Sequence, residues 1–325
     1  MEDINSILKQ ALEGQKEAQL KLGDIYSGID KNSAAEINES AAAHWYKTAF
    51  LNKNKHALDG LSMLAEKNNE AASSFLMNIY LNGDLNGEGR DLEKAFAIMQ
   101  KISKRNTGKE LSMDFIASWK ALADDIPDFQ KAFDLAHNMT DDDKKNYALL
   151  FRPLPSKLYM PLPLNEYLKY TVSIEKEMLK KEGKEAEIIA PETEGGWGLS
   201  EEEAISIKTD DVPENMRKRF IISCEKPISG TVLFRHAMDL GLSNIHFELE
   251  NQILKRGKEN SKYDVLEYHV SGLPLSLLPH LRGHFEQAQK NKDERAAEIN
   301  FYLHQAFLII YHIQYWFRLP ASAKK

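Results

Sequence analysis

The segment DLEKAFAIMQKIS from Asp91 returns as DFQKAFDLAHNMT from Asp128, an interval of 37 residues. In the first copy Leu92, Ala95, Phe96 and Met99 fall at i, i+3, i+4 and i+7, one apolar stripe of an amphipathic helix. Phe129, Ala132, Phe133 and Ala136 repeat that spacing in the second. Asp91 and Asp128 stand where a short carboxylate caps free backbone N–H groups and favours the helix dipole. A helix of this kind cannot bury its stripe alone. A copy one interval along the chain supplies a neighbour to stack on.

A second helix type alternates with the first. EAQLKLGDIYSG from Glu17 sets Ala18, Leu22, Ile25 and Tyr26 on one face, and EAASSFLMNIYLNG from Glu70 sets Ala72, Leu76, Ile79 and Tyr80 at the same offsets. Gly28 and Gly83 end the two copies. Each is followed by a polar loop and a helix of the first type, at NESAAAHWYKTAF from Asn38 and at Asp91. Asn38 and Asp91 are separated by 53 residues, and HALDGLSMLAEKN from His56 reads as an additional helix filling the difference. A looser helix around Phe115, Ile116 and Trp119 precedes the Asp128 copy.

Ala-x3-Leu-Gly-x2-Tyr-x-Gly over Ala18 to Gly28, then Ala-x2-Trp-Tyr-Lys-x-Ala over Ala42 to Ala49, resembles Sel1-like repeats, relatives of the tetratricopeptide repeat. The second copy keeps Tyr80, Gly83, Asp91, Lys94 and Ala95 but has Ile98-Met99 in place of Trp-Tyr, and the third lacks the Leu-Gly-x2-Tyr element. The resemblance covers roughly residues 11 to 140. It implies an α/α solenoid whose concave face binds other proteins, with Leu22, Gly23, Tyr26, Trp45 and Tyr46 as packing residues.

Composition narrows the function classes. Charged residues make up 28% and the net charge is −7, which disfavours a general nucleic-acid binder. Cys224 is the single cysteine, so neither an intrachain disulfide nor a CxxC metal site is available. MEDINSILKQALEGQKEAQ lacks the apolar core of a secretory signal, so cytoplasmic residence is expected; export by a signal-less system stays open.

After KKNYALLF, expected to close the helical stack, RPLPSKLYMPLPLNEY places Pro153, Pro155, Pro161 and Pro163 at a boundary. SIEKEMLKKEGKEAE reads as a helix and PETEGGWGLSEEEA as a flexible loop. RFIISCE, NIHFELENQIL and YDVLEYHVSG read as strands, with a helix at GTVLFRHAMDLGL. Helices are expected at PHLRGHFEQAQK and from ERAAEIN to the chain's aromatic end. Residues 300–317, NFYLHQAFLIIYHIQYWF, carry no acidic or basic residue, but Asn300, His304, Gln305, His312 and Gln314 argue for a buried or partner-bound helix over a membrane span.

Seven of the ten histidines follow residue 230. His280 and His284 form HxxxH, a zinc-ligand spacing, without the glutamate of HExxH. His246, Glu248 and Glu250 alternate on one strand face, which suits acid–base chemistry in a cleft or a plain solvated sheet face. Cys224 in an apolar strand reads as an inert thiol, and His304 and His312 as sharing a helix face. Nucleotide-binding and GxSxG motifs are absent.

The expected organisation is a helical-repeat domain over 1–152, a Pro-rich linker, helix and Gly/Glu-rich loop over 153–218, and a small α+β domain over 219–325 ending in a long aromatic helix. The expected role is a non-enzymatic protein-binding scaffold or adaptor, such as an immunity protein capping a bacterial toxin or effector. Gln19, Asp24, Asn78 and Trp119 are the candidate partner contacts, with no catalytic, cofactor or metal site assigned. The competing reading is an enzyme or secreted effector acting near His236, His246 and Glu248. Self-association through residues 300–317 is a third.

Overall fold

The computed structural model describes residues 3–31, 35–83, 89–152, 159–184, 190–258 and 261–320. The first part of the Pro-rich boundary, residues 153–158, and residues 185–189 after the following helix lie outside these. The first nine elements are helices: α1 (Ile4–Leu12), α2 (Lys16–Ser27), α3 (Glu39–Leu51), α4 (Ala57–Glu66), α5 (Glu70–Asn82), α6 (Leu92–Thr107), α7 (Met113–Ala123), α8 (Phe129–Ala136) and α9 (Asp141–Leu150). Each packs on its chain neighbours through α8. Contacts also skip one element, α2 on α4 and α3 on α5, or two, α6 on α9.

One junction recurs at the two helix types. The backbone N–H of Asn38 donates to the Tyr26 carbonyl at 2.9 Å, that of Asp91 to Tyr80 at 2.8 Å, and that of Asp128 to Ala121 at 2.8 Å. The same three residues cap α3, α6 and α8, accepting from the N–H of Ala41, Lys94 and Lys131. Each junction therefore uses one residue twice, to tie down the preceding helix and to start the next. Tyr46 fixes the first helices more tightly. Its ring lies against Gly23 of α2 and Gly60 of α4, where any added Cβ would come within 2.4 Å of it. The added helix at His56 is thus part of this core.

The remaining elements are α10 (Leu164–Lys181), β1 (Thr193–Gly195), β2 (Ile205–Ile207), α11 (Glu214–Asp239), β3 (Leu242–Arg256), β4 (Lys262–Pro274), α12 (Leu278–Asn291), α13 (Glu294–Ala306) and β5 (Ile309–Arg318). The strands form one mixed sheet in the order β1-β2-β5-β4-β3, with β1 antiparallel and β5 parallel to β2. A helical region followed by strands and helices is therefore the architecture.

Three local readings are corrected. RFIISCE is the first half of α11, a 26-residue helix that runs through Pro227, and not a strand. The aromatic run is split: the helix ends at Ala306, and from Ile309 the odd residues are buried and the even ones face out, in the alternation of a strand. PETEGGWGLSEEEA is tied into the sheet by β1, and the Trp316 N–H donates to the Gly198 carbonyl at 2.8 Å. Gly195 in that segment has φ +89° and sits where a Cβ would lie 2.2 Å from the Ala204 carbonyl oxygen, so the turn requires glycine.

The compact units do not follow the expected sequence blocks. One comprises residues 1–159, 237–245 and 271–311; the other comprises 160–236, 246–270 and 312–325. In the first unit α13 packs on α8, with Tyr302 stacked on His137 at 4.3 Å and Phe307 joining Phe115, Trp119 and Tyr147 in one aromatic cluster. α12 and α13 thus belong with the helical core, although the sequence places them after four of the five strands.

Candidate functional site

The four expected partner contacts occupy different environments. Gln19 is 2% exposed, and its amide donates to the Ala11 carbonyl at 2.9 Å while its oxygen accepts from Asn52. Trp119 is fully buried against Phe96, Phe115, Tyr147 and Phe307. Both are spent on the core, which corrects their reading as contacts for another molecule. Asp24 accepts from the Tyr46 hydroxyl at 2.8 Å, and burial raises the pKa of both groups. Asn78 holds its own chain: its amide donates to the Leu240 carbonyl at 2.9 Å, beside Gly241. Lys47 grips the same turn, donating to the Asp239 carbonyl at 3.0 Å. The helix face that Asn78 marks is filled there by residues 239–241.

The histidine candidates sort as clearly. His280 and His284 do lie one turn apart on α12, but His284 stacks on Phe129 at 3.7 Å and burial lowers the pKa of both rings. Their spacing serves packing. His236 is buried on α11, its Nδ1 3.1 Å from the Tyr315 hydroxyl, while His246 and Glu248 are exposed on β3. Those three do not converge. His304 sits on α13 and His312 on β5, so they share no helix face. Cys224 is half-buried on α11 and burial pushes its thiol pKa up, away from the thiolate a nucleophile needs.

What converges instead is a group that only the sheet brings together. α11 covers one face of the sheet: Ser229 meets the Tyr268 hydroxyl at 2.6 Å, and Gly230 faces Phe247. The opposite face is covered at one end, where Tyr263 and Val265 pack with Ala204 and Trp316, and open and polar beyond them. There Glu250 of β3 lies 3.5 Å from His269 Nδ1 of β4 and 3.8 Å from His312 Nδ1 of β5, and one donor atom from each residue lies within 4.8 Å of the others. Beside them Glu267 accepts from Asn251 at 3.1 Å and from the Gln314 amide. Glu250 and Asn251 are consecutive yet meet one face of β4. A regular strand alternates its side chains, so β3 is locally irregular at this point. Lys255, over the Trp316 ring at 4.6 Å, bounds the patch.

Under α11 lies a second unusual group. Glu225 is 1% exposed, and its pKa is pushed up to about 8 by burial and then by the Asp264 carboxylate against which it lies. It is a neutral acid at pH 7, enclosed and not presented to a substrate.

No family model, curated protein or solved structure matches this chain. Sequence reasoning had Glu250 and His312 in hand but not His269, and it placed His312 on a helix. The strict alternation of Ile309, Tyr311, Ile313, Tyr315 and Phe317 was the signal that puts His312 on the open face.

Proposed function

We propose that the chain is a non-enzymatic protein-binding scaffold, its helical region a Sel1-like α/α solenoid that grasps another protein. The observation that carries this reading is the junction repeated at Asn38, Asp91 and Asp128, each a cap and a clasp in one residue. Stacked helix pairs built this way extend by repetition and expose a long side-chain surface in proportion to their core. The nine successive helices that open the element order would supply such a stack.

The partner class we favour is a basic protein, as in an immunity or adaptor protein capping a toxin or effector. The chain's net charge of −7 would speed its capture. Residence in the cytoplasm accords with that role, and no helix among the described residues is long and apolar enough to cross a membrane. The purified chain should capture one protein from its native host and re-form a stoichiometric complex with it from purified components, seen by size exclusion with light scattering. The association rate should fall as salt rises. Repeated captures that return no protein able to re-form such a complex would overturn the reading, and self-association alone would point to oligomeric scaffolding.

The alternative, an enzyme or secreted effector working through the sheet region, loses the constellation His236, His246 and Glu248 on which it was framed. Its remaining support is the Glu250–His269–His312 group.

A further inference from the structure

We propose that Glu250, His269 and His312 form a binding site for a divalent transition-metal ion of the zinc class. Two imidazole nitrogens and a carboxylate converge from three adjacent strands, with separations of 3.5 and 3.8 Å between Glu250 oxygens and the two Nδ1 atoms. A tetrahedral ion with donors at about 2.0–2.1 Å holds them roughly 3.4 Å apart, so the observed pairs are close to a coordination edge. The widest donor separation, within 4.8 Å, closes by small rotations about side-chain bonds.

Donor chemistry selects the ion. Imidazole nitrogen with one carboxylate suits zinc, cobalt, nickel or copper, whereas calcium and magnesium take all-oxygen shells. Three protein ligands leave a coordination position for water or for a side chain from another molecule. The side chains of Glu250, His269 and His312 are 37%, 40% and 63% exposed, so an ion reaches them without any opening of the fold. Their backbones are held by the sheet, and the Asn251–Glu267–Gln314 network lies two residues along β4 and β5 from the histidines, fixing the neighbouring side chains on the same face. The HxxxH pair offers no rival, since His284 is committed to its stack on Phe129. The site does not rest on the scaffold reading and stands whether or not a protein partner exists.

The test uses the tag-free full-length chain after chelator treatment. Zinc is titrated by calorimetry, and cobalt by its visible absorption, against wild type, H269A, H312A, E250Q and the off-site control H246A. We expect one equivalent of metal bound at micromolar affinity or better, an unfolding temperature raised by zinc, at least a tenfold weakening in each of H269A and H312A, a smaller loss in E250Q, and no change in H246A. The substituted residues are exposed, so metal-free unfolding of each variant should match wild type and separate lost ligation from lost folding. Absence of stoichiometric uptake by wild type, or undiminished uptake by the H269A/H312A double variant, overturns the proposal.

Discussion

Two buried polar groups, Tyr46 in the helical core and Glu225 in the sheet-bearing unit, are held in different ways. In the first, the Tyr46 hydroxyl is fully buried yet donates to Asp24 at 2.8 Å and has Ser27 Oγ at 3.0 Å. In the second, the equally buried Glu225 carboxyl lies against the Asp264 carboxylate and keeps its proton up to about pH 8. The contrast follows from how each region is built. Tyr46 of α3 meets its partners on the adjacent α2, although Ser74, Trp119 and Tyr147 of the same core bury polar atoms without one among the described residues. α11 is laid across strands that follow it in the sequence, and what lies under each of its turns depends on the sheet's register.

The largest effect that tests this contrast is Trp119→Ala. Emptying the space between Phe96, Phe115, Tyr147 and Phe307 should cost about 4 kcal/mol, read by denaturant unfolding. A loss below about 1 kcal/mol would return Trp119 to the list of surface contacts. Gly60→Val comes next, at about 3 kcal/mol, because its side chain must displace the Tyr46 ring; if thermal unfolding is unaffected, the close approach of α3 and α4 is wrong.

Glu225→Gln should have the opposite sign. The carboxyl binds its proton more tightly folded, near 8, than at its ordinary value of 4.5. Its stabilising contribution is therefore complete below about pH 4.5 and is lost as pH rises through 8. The glutamine variant should be more stable than wild type by about 2 kcal/mol at pH 8 and equal to it at pH 4, and unfolding curves at both values decide the matter. A variant less stable at pH 8 would show that the Glu225 carboxylate is favourably held there, and the contrast would collapse. The smallest change expected is Asp91→Ala, about 1 kcal/mol from the lost cap of α6. Matching losses at Asn38 and Asp128 would sharpen the claim that the three junctions are equivalent.

How much was legible depended on where the deciding contact sits along the chain. Asp91 and Asp128 were readable as caps because a cap bonds an N–H three residues away. Gly28 and Gly83 were readable as stops for the same reason, and both have positive φ. RFIISCE failed because a short apolar run looks alike in a buried helix and a strand, and Pro227, which suggests a break, is tolerated inside α11. The aromatic run failed because α13 ends at Ala306 with only a two-residue gap, 307–308, before β5. With no charged residue to mark the change, one apolar segment hides two periodicities.

The candidate contacts show the same limit more sharply. Gln19 looked like a surface amide because nothing in its neighbourhood announces Asn52, 33 residues on. Asn78 looked available because its partner carbonyl belongs to Leu240, 162 residues away.

By itself the sequence determined the helices of the first 150 or so residues, their caps and the interval at which Asp91 and Asp128 recur, since hydrogen bonds and side-chain periodicity within a turn or two decide those. It determined the acidic balance and the lone thiol as well. Only the tertiary structure decided which polar residues are core, that α12 and α13 join the helical region, and that Glu250, His269 and His312 meet. Those outcomes turn on strand register and on contacts between distant segments. Register is set by the packing of the whole sheet against α11, and a slip of one residue would turn each of these side chains to the opposite face.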